Sequence, residues 1–249
     1  TGQGDLRFLL HASTDEAPRV IIAPGDQSEC FYTTTEAFNI AEKFQIPVFV
    51  LTDKYLAESY KSIPNFDLSR ITIDRGKLMT SPNPGSNGFF KRYEITEDGI
   101  SPRSIPSMKD GQHVASSYEH DAEGYEREEE ENRIAQHHKR FRKFDLLKNQ
   151  LPAPVVEGSS DAEITIITWG STKAPVLQAI RKLSQRGIKV NVCQILYLSP
   201  FHSEEIAEII KDAKRTVVIE CNKTSQLSGI IIENTGLDVD YKILKYDGR

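Results

Sequence analysis

The chain has 249 residues, 38% of them hydrophobic and 27% charged, which is ordinary globular usage, enough for one large or two modest cores, and excludes disordered or collagen-like character. Its 31 Lys plus Arg against 36 Asp plus Glu leave a formal charge of −5, so no global basic field draws it to nucleic acid or anionic lipid. Apolar runs such as Val20–Ile22, Pro47–Leu51 and Ile230–Ile232 fall far short of the ~18–20 residues of a membrane span, which implies a soluble chain.

The opening Thr1-Gly2-Gln3-Gly4-Asp5 has neither the basic nor the apolar region of a signal peptide, and it runs at once into Leu6, Phe8, Leu9 and Leu10. It reads as the cut edge of something longer. Arg19–Ala23 reads as a short buried strand ending at Pro24-Gly25-Asp26. Ser28–Phe44 follows as a helix, with Phe31, Thr35, Phe38 and Phe44 at roughly helical spacing, and Pro47–Leu51 as a second buried strand. Strand, helix and strand within about thirty residues is a βαβ crossover, which places the loops at Gly25-Asp26 and Asp53-Lys54 side by side at the carboxyl ends of parallel neighbours.

From Ser59 to Ser117 the chain is rich in Pro, Gly, Ser and Asn, including Pro82, Pro84 and Gly85. Irregular structure is expected there, with short strands at most, for instance around Ile71–Ile73. Glu126–Asn149 reads as one helix, acidic first and basic last in accord with its macrodipole, with Ile134, Phe141, Phe144 and Leu147 as the apolar stripe. Leu151-Pro152-Ala153-Pro154 punctuates the chain. Beyond it, strands Glu163–Thr168, Lys189–Leu196, Thr216–Cys221 and Val239–Leu244 alternate with helices Lys173–Arg186, Ser203–Ala213 and Thr224–Thr235, the grammar of a small doubly wound α/β domain.

Familiar chemistry is sparse. Gly170-Ser171-Thr172-Lys173 follows a strand and precedes a helix but lacks the spacing of either common phosphate loop, so Ser171 or Thr172 is read as an N-cap, with Pro175 in the first turn. There is no G-x-S-x-G elbow, and Cys30, with no histidine nearby in sequence, reads as a buried structural thiol. Cys30, Cys193 and Cys221 form no C-x-x-C pair, which argues against a disulfide framework, zinc ribbon or cluster-binding ferredoxin fold and for a reducing compartment, the cytoplasm. His137 and His138 point to different sides of a helix and the other histidines are dispersed, so no metal site is expected. Two loops remain. Ala23–Cys30 opens a helix, with Asp26 or Ser28 as cap and Glu29 in the first turn. Glu119–Gly124 packs His120, Asp121 and Glu123 beside a glycine, which suits either a wall of a polar site or a solvated turn leading into the Glu126 helix.

Taken together, the stretches TGQGDL (1–6), APGDQSECFY (23–32), AFNIAEKFQIPVFVLTDKYLAES (37–59), DGISPR (98–103), EHDAEG (119–124), HHKRFRK (137–143), TWGSTKAPVLQAI (168–180), VVIECNKTSQL (217–227) and KYDGR (245–249) resemble, in order and over nearly the whole chain, the alpha subunit of 2-oxoacid:ferredoxin oxidoreductases. Ala122 stands where that family often has Glu, and Ser225 where it often has Gly, which singles out the turn near Ser225 as a place of difference. The resemblance implies an α/β fold: a partial parallel-sheet thiamine-type domain (1–110, with an irregular extension), a connecting loop and charged helix (111–154), and a small doubly wound transketolase-C-terminal-like domain (155–249). It lacks the Tyr-Pro-Ile-Thr-Pro motif that precedes these segments in the family, and the family continues a little beyond KYDGR.

The implied reaction is oxidative decarboxylation of a 2-oxoacid on thiamine diphosphate, with electrons passing through iron–sulfur clusters to ferredoxin and the acyl group taken by coenzyme A. A diphosphate and its Mg²⁺ call for a Gly-Asp-Gly turn with a downstream Asn, and a [4Fe–4S] cluster for about four thiolates; the chain has neither. Both are expected mainly on a thiamine- and iron–sulfur-binding beta subunit, none on this chain alone, which by itself would be inactive. Its own share would be one wall of a composite site. Gly25, Asp26, Glu29, Asp53 and Lys54 would face the cofactor, and His120, Asp121 and Glu123 would position the 2-oxoacid or a proton donor. The alternative is a non-catalytic α/β subunit-interaction module whose loops are capped turns.

Overall fold

A computed structural model describes residues 2–82 and 88–248. Pro84 and Gly85 of the stretch expected to be irregular, and Thr1 and Arg249 at the ends of the recognised stretches, lie outside the described residues. The chain opens with α1 (Leu6–Leu10), β1 (Val20–Ile22), α2 (Gln27–Phe44), β2 (Val48–Val50) and α3 (Lys54–Glu58), and then runs irregularly to α4 (Glu130–Lys148). The second part contains β3 (Val156–Gly158), β4 (Ile164–Thr168), α5 (Lys173–Ser184), β5 (Val190–Gln194), β6 (Tyr197–Ser199), α6 (Ser203–Asp212), β7 (Thr216–Glu220), α7 (Gln226–Thr235) and β8 (Tyr241–Leu244). The fold is α/β with two sheets that each mix parallel and antiparallel pairing, ordered β2-β1-β6 and β3-β5-β4-β7-β8. Within them only β6 on β1 and β3 on β5 pair antiparallel.

The short strand β1 holds the two halves together. Because side chains alternate across a strand, Val20 and Ile22 face a cluster with Ile40 and Phe44 of α2 and Leu147 of α4. Ile21 and Ala23 face Trp169, Ile195 and Leu198 from the second half. All four side chains are fully buried, which explains an unbroken apolar run where a one-sided strand would alternate. The expected strand Lys189–Leu196 is accordingly split. β5 pairs with β4 as far as Gln194, after which the chain leaves that sheet, Ala23 N–H donates to Leu196 O (2.8 Å), and β6 completes the first sheet.

Several other expectations shift for local reasons. Ile71–Ile73 forms no strand: the main chain at Thr72 and Asp74 is bonded instead by the Asn39 side chain of α2, after a 3-10 turn at Leu68–Arg70. The inner face of α2 is Thr33, Ala37, Ile40 and Phe44. Phe38 is exposed, and Phe31 stacks on Phe66 (centroids 3.9 Å apart). The charged helix starts at Glu130 and not at Glu126, because Glu119–Arg127 folds as a small hairpin in which Arg127 N–H donates to Glu119 O (2.9 Å) and Asp121 N–H to Tyr125 O (2.9 Å). Its buried face is also largely polar: Gln136, Lys139 and Lys143 share it with Leu147, while Ile134 is exposed.

Candidate functional site

Parallel strands leave their ligand-facing loops at their carboxyl ends, and here β1 and β2 run parallel in the register Val20↔Val48, so the loops at Gly25 and Asp53 do lie side by side. The ends of β4, β7 and β8 bring three more loops to one cleft of about 470 Å³, whose walls include Asp53, Tyr55, Ser171, Asn222, Lys223 and Gln226. The N-terminal segment forms a further wall. Gln3 is 2% exposed and stitches the ends of two strands: its amide donates to Trp169 O (2.8 Å) and Thr172 Oγ1 (3.1 Å), and its Oε1 accepts from Cys221 N–H (2.8 Å). Gln226 at the start of α7 donates to Gly4 O (2.8 Å) and accepts from Arg7 N–H (3.1 Å). Below the wall, Glu220 is fully buried at the end of β7. One of its carboxylate oxygens accepts from Trp169 Nε1 (3.3 Å), Asn222 Nδ2 (2.6 Å) and Leu227 N–H (3.1 Å), which fixes the Asn222 side chain.

Asp53 is the expected site residue that lines this cleft. One carboxylate oxygen caps α3 by accepting from Leu56 N–H (3.0 Å), and the other accepts from the Ser171 hydroxyl. Ser171 therefore joins the halves and caps nothing. Thr172 turns its hydroxyl back to Trp169 O, because Gly170–Thr172 is a 3-10 turn that runs straight into α5. Lys54 points elsewhere, to an exposed pairing with Glu58 at 3.8 Å. The cleft's cations are Lys223, which lies over the Tyr246 ring (5.8 Å), and Lys245, paired with Asp247. Lys223 has no carboxylate partner among the described residues.

Gly25, Asp26 and Glu29 form a second cluster, at the seam between the halves. Asp26 caps α2, accepting from Glu29 N–H (3.0 Å), and Glu29 reaches back to accept from Gly25 N–H (2.7 Å), reciprocal bonds that quieten the helix end. Lys173 of α5 sits between the two carboxylates, 3.3 Å from Asp26 and in contact with Glu29, and Gln194 donates to Glu29 (2.8 Å). The carboxyl of Asp26 is held below its ordinary range by its backbone bond and by Lys173, against the opposing pull of desolvation, and Lys173 is raised by its two carboxylates against the same opposition. A Cβ on Gly25 would lie 2.7 Å from the Lys173 side chain, so glycine is what lets the loop approach α5 this closely.

His120, Asp121 and Glu123 are not part of the cleft's walls. Asp121 Oδ1 accepts the N–H groups of Glu123 (3.0 Å), Gly124 (3.1 Å) and Tyr125 (3.0 Å), and its other oxygen accepts from Arg127 (3.0 Å). That is the anchor of the hairpin turn, and with Arg127 beside it the carboxyl is held low although desolvation opposes this. Gly124 adopts φ +99°, where a Cβ would collide with Val114 O. The His120 ring packs on Tyr93 (3.8 Å), with Nδ1 3.0 Å from Tyr118 O.

The thiols form no ligand set among the described residues. Burial raises Cys30, Cys193 and Cys221, Cys193 to about 12. Cys30 and Cys221 are half-buried, Cys30 contrary to expectation, and the described residues contain no group of His, Cys, Asp and Glu that could hold a metal ion.

A site assembled at the strand ends of two α/β sheets, with Asp53 from one half bonded to Ser171 of the other, is that of a two-part α/β protein with a ligand cleft at the seam. Residues 1–139 match the family model described as pyruvate flavodoxin/ferredoxin oxidoreductase, thiamine diphosphate-binding, and residues 155–233 match the transketolase C-terminal domain. The chain belongs to the pyruvate flavodoxin/ferredoxin oxidoreductase family. It is 36% identical over 254 residues to 2-oxoacid:ferredoxin oxidoreductase 2, subunit alpha, of Aeropyrum pernix, and 37% identical over 254 residues to the corresponding alpha subunit of Saccharolobus solfataricus. Each alignment covers 100% of this chain and 39% of the relative, so the chain spans about two fifths of the length of these curated relatives. Among solved structures, 2-oxoglutarate:ferredoxin oxidoreductase from Magnetococcus marinus, with 2-oxoglutarate, coenzyme A and succinyl-CoA bound, aligns with a TM-score of 0.89 at 32% identity, over 99% of this chain and 42% of that one.

The residues that reading by motif left out are Gln3, Asn222, Lys223 and Gln226. All four lie in the recognised stretches TGQGDL and VVIECNKTSQL. The available signal was position: the residues just after a buried parallel strand are those a ligand meets.

Proposed function

We propose that this chain is part of the alpha subunit of a cytoplasmic 2-oxoacid:ferredoxin oxidoreductase, which converts a 2-oxoacid to its acyl-CoA and reduces ferredoxin. The observation that carries this reading is similarity along the entire chain to such subunits, together with a cleft built at the strand ends where α/β folds bind ligands. The division into 1–110, 111–154 and 155–249 belongs to the same proposal.

The residues present do not fit a magnesium diphosphate or a [4Fe–4S] cluster. Asp26, Glu29 and Asp53 are committed to Lys173, helix caps and Ser171, and the three thiols belong to no group of metal-ligating side chains among the described residues. Those groups are assigned to a beta subunit or another part of the polypeptide. What this chain supplies is a wall that binds and orients: Gln3, Glu220, Asn222 and Gln226 bond to one another's segments and hold the strand ends and the N-terminal segment in place, and Lys223 offers a positive charge to a carboxylate or phosphate of the substrates.

The test is 2-oxoacid-dependent ferredoxin reduction, with coenzyme A titrated, by the enzyme assembled from full-length subunits. Lys223→Ala should raise KM for an anionic substrate about tenfold, on the order of 1.4 kcal/mol, with assembly intact. Failure of the assembled wild type to reduce ferredoxin with pyruvate, 2-oxoglutarate or their longer homologues would remove the reading and favour a non-catalytic interaction module.

A further inference from the structure

A second cavity, of about 170 Å³, lies between α4 and the segment 92–101 and is lined by Arg92, Lys139, Arg140, Lys143 and the His120 ring. It is unusual in its charge. Lys139 and Lys143 are 6% and 8% exposed, one helical turn apart on the inner face of α4. Their partners are neutral: Lys139 Nζ donates to Tyr93 O (2.8 Å) and Ser101 Oγ (2.9 Å), and Lys143 Nζ to Gln45 O (2.8 Å), the residue that ends α2. Arg92 lies 5.4 Å over the Tyr93 ring and has no carboxylate partner among the described residues. Arg140 alone is compensated, by two bonds to Glu119 (3.1 and 2.7 Å), a carboxylate that also pairs with Arg133. Glu119 and Glu94 act on Lys139 only across space, with no bond to it, and the Glu94 side chain is exposed.

Three cations therefore share one half-enclosed space, and none of them is bonded to a carboxylate among the described residues. The carboxyl end of α2 supplies only about half an elementary charge. A buried charge costs several kcal/mol when unpaired, and a fold that needed only apolar packing on this face would carry leucine there. Burial and mutual repulsion press Lys143 down to about 7 and Lys139 to about 8, as expected for a cluster that lacks an anion.

We propose that this cavity is an oxyanion-binding site, separate from the strand-end cleft, which takes one phosphate group between Arg92 and the ammonium groups of Lys139 and Lys143. Arg92 is the free planar fork that meets phosphate oxygens, and the lysines are point charges that complete the neutralisation.

Calorimetric titration of the chain with inorganic phosphate, at ionic strength held constant with chloride, tests this. One saturable phosphate is expected, with affinity reduced at least tenfold in Arg92→Ala, a variant that removes no side-chain hydrogen bond present among the described residues. Lys143→Met should abolish saturable binding while raising the Tm of the phosphate-free chain. If Lys143 served only to hold Gln45 O, the same variant would lower that Tm. A parallel titration with ADP separates the two sources of the group: tighter binding than phosphate assigns the site to a phosphate carried on a larger molecule, equal binding to the free ion. Absence of saturable heat with both ligands, or unchanged phosphate affinity in Arg92→Ala, overturns the proposal.

Discussion

The two ends of α2 handle charge in opposite ways. At its start, Asp26 and Glu29 enclose Lys173 and bond Gly25 and Gln194, so nearly every lone pair and proton has a partner. At its finish, Gln45 O meets Lys143 in a cavity with Lys139 and Arg92, and none of the three is bonded to a carboxylate among the described residues. The first arrangement is closed: it binds two halves of the chain to each other and has no capacity left for a ligand. The second is open, because its electrostatics are complete only with something added. Charged residues that sequence reading would rank together thus separate by whether the fold has already answered them. Asp26 and Glu29 look like site residues in the sequence and act as a seam, while Lys139 and Lys143 look like a solvated helix face and are buried.

The largest expected effect falls on the open end. Lys143 is held at about 7, against an ordinary lysine value of 10.5. Below pH 7 it is protonated in both folded and unfolded chains, and the native state bears the full cost of burial. Between about 7 and 10.5 the unfolded chain binds a proton that the native chain does not, so this residue makes stability rise with pH, on the order of 5 kcal/mol in total. Chemical denaturation at pH 6.5 and 9, wild type against Lys143→Met, measures it. The variant should be the more stable at pH 6.5 and show a flatter pH dependence; equal slopes would mean that the ammonium is solvated and the contrast between the two ends is false.

At the closed end, Lys173→Met leaves two carboxylates facing each other without a cation. Because the cluster is partly exposed, we expect a loss of about 2 kcal/mol, below the range for fully buried pairs. A loss under about 0.5 kcal/mol would show that the seam is held by apolar contacts through β1 alone. The hairpin makes a third contrast. Asp121→Asn weakens four accepted bonds and should cost about 1–2 kcal/mol in stability. With the hairpin off the cleft's walls, kcat/KM of the assembled enzyme should change less than threefold, and a tenfold fall at unchanged stability would return the loop to the reaction.

What could be read from the sequence were features governed by neighbours in the chain: the βαβ crossover with its two strand-end loops, the Asp26 cap, and the alternation of the second half. What could not be read depended on partners far away. The Tyr197–Ser199 strand leaves its own sheet for β1, a choice made by the vacant edge of a distant strand and invisible in its own apolar pattern. The inner face of α4 is cationic because a remote segment offers carbonyl oxygens at Gln45, Tyr93 and Glu94, and periodicity counts only apolar residues. The cleft was legible in part. Asp53 announced itself at a strand end, whereas Gln3 acquires its role only through bonds to residues more than 160 positions on.

Ser225 offers the smallest and cleanest test, where one departure from the family's pattern meets one backbone angle. The residue precedes α7 at φ +51°, in the left-handed region that favours glycine, and its buried hydroxyl has no partner among the described residues. A side chain in this conformation costs roughly 1–2 kcal/mol relative to glycine, and an unpartnered buried hydroxyl adds to that. Against this stands the greater freedom glycine gives the unfolded chain, about 0.4–1 kcal/mol. The balance predicts that Ser225→Gly stabilises by about 1 kcal/mol, read as an upward shift of the denaturation midpoint at unchanged slope. Ser225→Ala would separate the contributions: it removes the hydroxyl and keeps the Cβ, so it should recover only the smaller part. If alanine gains as much as glycine, the backbone angle contributes nothing and the cost lies wholly in the buried hydroxyl.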